Sequence, residues 1–365
     1  MRPERLLALG LLLSTPAGAA ERVDLDVAYK STTIVGRAPA DSLLFPERWS
    51  ASALGRLRWT VRAESGRWLR AEVAYEQRAR LASGSAGGTS ILRSEERAPY
   101  RIAQAEWSWA EADDGFSGRH EVDRAVAVMR AGSVDLAVGR QAVGWGRGVQ
   151  FSVVDIFAPF MALEQDREWR RGIDAVRLRF PLTDLISADG VAAFDETIEQ
   201  SAFVGRVQGY WGDLDGEILV GTRRRDRMLG CSASLPVMDA ELHGELALFD
   251  SPDGEEVIEG LAGGSYSFDL QGPLFVRAEY LASGFGAVQC AYGVGSVTPA
   301  SLNWLISLRD GSGVASGSVS WIFSDHLSLA AGFYVPHGSR PRAGGFRSDY
   351  GGTAGTGLFQ ISFYD

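Results

Sequence analysis

Apolar and polar side chains alternate with a period of two along most of this chain. At Arg56-Leu57-Arg58-Trp59-Thr60-Val61-Arg62, an extended strand would put Leu57, Trp59 and Val61 on one face and Arg56, Arg58 and Arg62 on the other. The alternation returns with Leu69, Ala71, Val73 and Tyr75 against Arg70, Glu72 and Glu76, and with Ala103, Ala105, Trp107 and Trp109 against Gln104, Glu106 and Ser108. Val134, Leu136 and Val138 oppose Asp135; Val176, Leu178 and Phe180 oppose Arg177 and Arg179; Phe203, Val207 and Trp211 oppose Arg206, Gln208 and Tyr210. Further on, Leu242, Leu246 and Leu248 oppose Glu241, His243 and Glu245, while Leu274, Val276 and Tyr280 oppose Arg277 and Glu279. The chain finishes on Phe359, Ile361 and Phe363 opposite Gln360, Ser362 and Tyr364. Helical periodicity is nearly absent, and Ser301 to Arg309 fits neither period cleanly.

Ten-residue alternating segments separated by turns predict an all-β, transmembrane, antiparallel up-and-down β-barrel, apolar outside and polar within. Short links at Glu64-Ser65-Gly66, Ala131-Gly132-Ser133, Pro236 to Asp239 and Asp269 to Gly272 suit one end. Longer stretches at 34–52, 79–100, 142–171, 284–314 and 337–353 suit the other. With both chain ends on one side the strand number must be even. A plain count gives eighteen, but it puts the 131–133 link and the 142–171 loop on the wrong sides. Dropping one candidate between 79 and 130 and another at 299–309 repairs this, so the expectation is about sixteen strands, within a range of fourteen to eighteen.

The start of the chain changes the setting. Arg2 and Arg5, the apolar run Leu6 to Leu13 and Ala17-Gly18-Ala19-Ala20 have the three parts of a secretory signal over residues 1–20. The remainder, 21–365, shows no linker and reads as one domain. No later apolar run approaches the ~20 residues of a membrane helix, and a mean hydropathy of −0.04 suits a barrel with a wet lumen. Forty-four Gly, 10 Trp, 10 Tyr and 17 Phe suit many tight strands with aromatic anchors at membrane interfaces. A net charge of −10 argues against a nucleic-acid partner. Cys231 and Cys290 could form a disulfide in an oxidising compartment, or remain two isolated thiols.

The most distinctive stretch runs from Gly139 to Asp174. It reads Gly139-Arg140-Gln141, then Trp145-Gly146-Arg147-Gly148, then Asp155 and Pro159-Phe160, and ends at Asp166-Arg167-Glu168-Trp169-Arg170-Arg171-Gly172-Ile173-Asp174. Here the chain resembles porin-like outer-membrane proteins, including the alginate-export type and uncharacterised bacterial barrels. Those commonly carry a strand ending Gly-Arg-Gln, then Trp-Gly and a loop with an Asp and an aromatic-Pro pair. The resemblance implies a barrel in the bacterial outer membrane and carries no substrate with it. The terminal Phe359-Gln360-Ile361-Ser362-Phe363-Tyr364 resembles the last strand that barrel-assembly machinery recognises, although Asp365 follows it where a terminal Phe is usual.

Physically, the 142–171 stretch is too long for a turn and rich in groups that demand partners. Arg140, Arg147, Asp155, Asp166, Arg167, Arg170, Arg171 and Asp174 are candidates for a constriction whose opposed charges select solutes. The competing expectation is that the same ion pairs merely pin the loop to the wall. Arg56, Arg58, Arg62, Arg177, Arg179 and Arg206 should face the lumen, because a cation facing mid-bilayer lipid costs ~2–4 kcal/mol. They form either a basic ladder for anions or a set neutralised by Glu72, Glu76, Glu106, Glu241, Glu245 and Glu279.

Four scattered histidines, no Gly-x-Ser-x-Gly elbow and no phosphate-cradling loop argue against an enzyme. No metal site and no cofactor is expected. The function expected is passive diffusion of small hydrophilic, including anionic, solutes. The alternative is a plugged barrel with a structural, polysaccharide-export or surface-binding role. Partners would be outer-membrane lipid and lipopolysaccharide, the assembly machinery and the solutes themselves, with the barrel a monomer or a homotrimer.

Overall fold

The computed structural model describes residues 21–41, 43–83, 98–110, 115–164, 166–270, 272–294 and 298–365, and the expected signal at 1–20 lies outside them. The first strands are β1 (Arg22–Arg37), β2 (Trp49–Ser65), β3 (Leu69–Ser83), β4 (Glu106–Ala110), β5 (Phe116–Ala131), β6 (Val134–Gln141) and β7 (Ile173–Pro181). Then come β8 (Ile186–Ala193), β9 (Ala202–Trp211), β10 (Leu214–Arg223), β11 (Asp226–Val237), β12 (Ala240–Asp250) and β13 (Glu256–Asp269). The last are β14 (Pro273–Leu281), β15 (Phe285–Val294), β16 (Thr298–Ser307), β17 (Gly313–Ser324), β18 (Leu327–His337) and β19 (Gly355–Tyr364).

All described strands belong to one sheet, and β1 closes it by pairing antiparallel with β19 from Ala28↔Tyr364 to Arg37↔Gly355. Eighteen strands make the cylinder, not sixteen. Closure leaves no long row of unpaired N–H and C=O groups, the condition for a sheet to sit in hydrocarbon. The short β4 is an addition. The lower half of β5 pairs with β6, while its upper half, Gly118 to Glu121, pairs with β4. The short β6 thus leaves a notch in the wall that β4 and the chain before it fill.

Two expectations about the strands need correction. Ser301 to Arg309 lies mostly in β16, a spanning strand, so 284–314 holds the strands β15 and β16 rather than one long loop. Of the alternating run from Ala103 to Trp109, only Glu106 to Trp109 lie in a strand, the short β4. The four predicted short links all lie at the rim that carries both chain ends, here the terminal rim. The connections that follow Arg37, Gln141 and His337 leave the barrel at the opposite, loop rim.

The outward face is apolar. Val61, Phe203, Val207, Ile218, Leu229, Leu242, Leu246, Leu302, Phe333 and Phe363 stand exposed on it, and the outward Trp109, Trp211 and Trp321 are exposed as well. Such a belt suits acyl chains rather than water. The suggested Cys231–Cys290 bridge is not formed. Both thiols are free, on β11 beside Ile218 and Leu246 and on β15 between Val276 and Leu302. Three strands lie between them, roughly 19 Å at the ~4.8 Å strand spacing, whereas a disulfide needs Cα atoms within ~7 Å.

Candidate functional site

The loop between β6 and β7 folds into the lumen, and three wall carboxylates receive its backbone. Gly146 N–H donates to Glu217 of β10 (3.1 Å). The N–H groups of Arg147, Gly148 (2.7 Å), Val153 (2.7 Å) and Val154 (3.3 Å) donate to Glu245 of β12. Those of Val149 (2.8 Å), Gln150 (2.8 Å) and Phe151 (3.2 Å) donate to Glu279 of β14. Ser152 uses its hydroxyl instead, on Glu245 (2.8 Å). Glycine makes this approach feasible: Gly146 has φ +92°, and a Cβ there would meet Glu245 Oε1 at 2.6 Å.

The far side of the loop is apolar. Val143, Trp145, Val153, Val154 and Phe157 pack with Ile173, Ala175, Val191, Val204, Leu219 and Phe249 of the inner wall. Those wall residues face inward although they are apolar, because the loop rather than water covers them. Trp145 and Phe157 meet edge to face at 4.9 Å, and the Arg206 guanidinium lies over Trp145 at 5.0 Å.

The opposite sector of the wall is charged. Register places Lys30, Arg56, Arg78 and Arg119 side by side across β1, β2, β3 and β5, each directly opposite the next. One step toward the terminal rim, the row of Arg58, Glu76 and Glu121 answers it. Glu76, fully buried, pairs with Arg56 (2.6 Å), Arg58 (3.3 Å) and Arg78. Glu121 pairs with Arg78 (3.2 Å) and with Arg101 (3.1 Å), and Glu106 with Arg119 (3.1 Å). The loop returns here: Asp166 accepts from Lys30 (2.7 Å) and Arg56 (3.1 Å), and the Trp169 ring lies under Lys30 (4.2 Å), Arg56 (4.7 Å) and Arg58 (5.1 Å). Burial raises the Asp166 carboxyl, but Lys30 and Arg56 outweigh it and hold the group below its ordinary range.

A vestibule at the loop rim opens over this floor. Its cationic lining is Lys30, Arg56, Arg78, Arg80, Arg119 and Arg171, against Glu164 and Asp166. A second vestibule at the terminal rim lies beneath Gly144 to Arg147, against the ends of β7 to β10, with Arg147 bound to Asp215 and Arg206 to Glu217 (2.8 Å) and Asp189 (3.0 Å).

The predicted constriction residues therefore divide. Asp166, Arg171 and Arg147 line the vestibules. Arg140 and Asp174 do not; they pair at 2.7 Å, and Arg140 also donates to the carbonyls of Val122 (2.8 Å) and Ala103. Arg167 staples the loop to itself through the carbonyls of Val149 (2.7 Å), Met161 (2.9 Å) and Ala162 (3.0 Å). Arg170 binds Asp155 and the carbonyl of Ala158 (2.8 Å). Burial pushes the Asp155 carboxyl up to about 6 in spite of Arg170.

Of the inward arginines, Arg56, Arg58, Arg62, Arg177 and Arg206 all carry acidic partners, Arg62 through Asp26 and Arg177 through Asp189. Arg179 is exposed beside Arg177. Among the expected neutralising glutamates, Glu72, Glu76 and Glu106 do pair with arginine, whereas Glu245 and Glu279 are taken by backbone amides. Sequence reasoning passed over Asp123, which binds Arg58 (2.9 Å), Arg101 (3.3 Å) and the N–H of Gly172 (3.0 Å), and Trp169 beneath its three cations.

The described strands form an eighteen-stranded closed antiparallel barrel with the loop between β6 and β7 folded against one side of the lumen. Solved structures share the fold at low identity. OccK9 (OpdG) of Pseudomonas aeruginosa matches with a TM-score of 0.60 and 10% identity over 95% of this chain and 99% of that one. OccAB1 of Acinetobacter baumannii matches with 0.59 and 9% over 96% and 98%. The outer membrane protein opdK of P. aeruginosa matches with 0.58 and 7% over 95% and 100%. No family model and no curated protein matches. The resemblance to the alginate-export type finds no support in these comparisons.

Proposed function

We propose that the chain is a porin-like channel of the bacterial outer membrane, passing small hydrophilic solutes by diffusion and favouring anions. The apolar outer belt and the fold shared with outer-membrane proteins support the location. The observation that carries the anion preference is the row Lys30, Arg56, Arg78 and Arg119. Like charges directly opposite one another destabilise a sheet, yet four adjoining strands repeat the arrangement at one level of the lumen. Glu76 and Glu121, which answer Arg56 and Arg78, are buried, while Asp166, Glu168 and Glu106 reach Lys30, Arg56 and Arg119 from the lumen side; the vestibule lining still sets six cations against Glu164 and Asp166. An anion entering from the loop rim meets guanidinium groups that can bind a carboxylate or phosphate in a fork geometry. Transport of this kind uses neither cofactor nor covalent step; charge and width select.

The test is the reversal potential across a planar bilayer under a salt gradient. The wild type should be anion-selective, and R78Q/R119Q should lower the anion-to-cation permeability ratio several-fold. Unchanged selectivity in the folded variant rejects the preference. The loop's close packing against β7 to β13 favours one second reading, a plugged barrel with a surface-binding role. A folded wild type that never conducts would select it.

A further inference from the structure

We propose that Glu245 and Glu279 are positioning residues that set the width of the pore, each serving as a fixed anion onto which the loop backbone at 146–154 is wound. The inference rests on the channel reading and deepens it.

Every backbone N–H from Gly146 to Val154, apart from that of Ser152, ends on a wall carboxylate, and Glu245 and Glu279 take all but the first. Carboxylates that accept several amide hydrogens are strong anchors, because each bond is charge-assisted. Both groups are almost fully buried, and neither has an arginine within ion-pair distance among the described residues. Loss of the loop from this wall would thus give up seven charge-assisted amide bonds and leave both carboxylates to lumen water.

The two anchors stand at different levels. Glu245 shares a level with Ser232 and Glu217, whereas Glu279 shares one with Gly263 and His243, a single step nearer the terminal rim. Two levels fix the tilt of the loop as well as its distance from the wall. The packing at the lower level depends on Gly263, where a Cβ would meet His243 Nε2 at 2.4 Å and Glu279 Cγ at 2.9 Å. His243 lies 3.3 Å from Glu279 and completes its surroundings. With residues 146–154 held against β10 to β14, the loop reaches the loop-rim vestibule beside β1 to β5 only through its returning arm at Glu164, Asp166, Trp169 and Arg171. The same anchors therefore determine how far the opening extends.

The experiment compares wild type with E245A/E279A, and with E256Q at the exposed loop rim as a control. Folding is checked by heat-modifiable gel mobility. Single-channel conductance should at least double in the alanine pair, liposomes should swell in oligosaccharides that wild type excludes, and trypsin should cut after Arg147. Folded variants with wild-type conductance, exclusion size and trypsin resistance would overturn the proposal. Where the alanine pair fails to fold, the isosteric E245Q/E279Q pair is scored by the same three readouts. Trypsin cleavage needs no current, so a wild type that never conducts removes the channel reading while the clamp is still decided.

Discussion

Arg56 and Arg78 stand directly opposite each other on β2 and β3, and both lean on one carboxylate, Glu76, which is sealed from solvent behind them. Facing cations on neighbouring strands ordinarily weaken a sheet. Here a buried acid offsets them, and Arg58 reaches the same acid from one step below. The acid shared by these three arginines is thereby out of a solute's reach, while Asp166 meets Lys30 and Arg56 from the lumen side.

Removing that acid should be expensive. E76Q leaves three guanidinium groups around a neutral amide, and breaking a buried charge cluster from one side costs about 3–5 kcal/mol. The thermal midpoint of the detergent-folded barrel should drop, while anion selectivity persists or rises. A variant as stable as wild type would mean that solvent, not Glu76, neutralises the row.

Asp155 gives the loop a pH dependence. Burial raises its carboxyl to about 6, well above the ordinary 3.8, so the folded state holds the proton more tightly than the unfolded chain. The stabilisation is complete below about pH 4 and is lost as pH rises through 6. Its size is on the order of 3 kcal/mol. The thermal midpoint of wild type should fall between pH 4 and 7 by more than that of D155N, which has no proton to lose. Parallel curves for the two proteins would refute this.

Cys231 and Cys290 should behave as independent thiols on the lipid-facing surface. A membrane-permeant maleimide should label both in the folded protein, and reducing agent should leave the gel mobility unchanged. C231S/C290S should alter stability by less than about 0.5 kcal/mol, the usual range for surface positions. A mobility shift with reductant would contradict the observed separation.

Most of the fold was legible because lipid outside and water inside impose opposite preferences on alternate residues. Where that contrast fails, the pattern blurs. In β16 the outward Leu302 and Trp304 alternate with Ser301 and Asn303, but the inward Leu305 is apolar because it packs under the loop with Leu163, Val314 and Tyr334. That one inward leucine makes the segment hard to assign, and with it the strand count. Trp107 misleads in the opposite sense, since alternation at the rim needs only the few residues of β4. The charge clusters were legible as clusters. Which charges would line the path and which would bolt the loop was not, because Arg167 and Arg170 spend their donors on carbonyl groups that any residue supplies. For the same reason the sequence offers Glu245 and Glu279 only as partners of arginine: an amide hydrogen leaves no mark in the order of side chains.

The two vestibules open against different sectors of the cylinder, one beside β1 to β5 and the other beneath β7 to β10, with the folded loop between them. In the proposed channel a solute moving from one rim to the other would have to sidestep partway. Long stiff solutes would strike the obstacle broadside while compact or jointed ones turned the corner, so outline would count alongside charge.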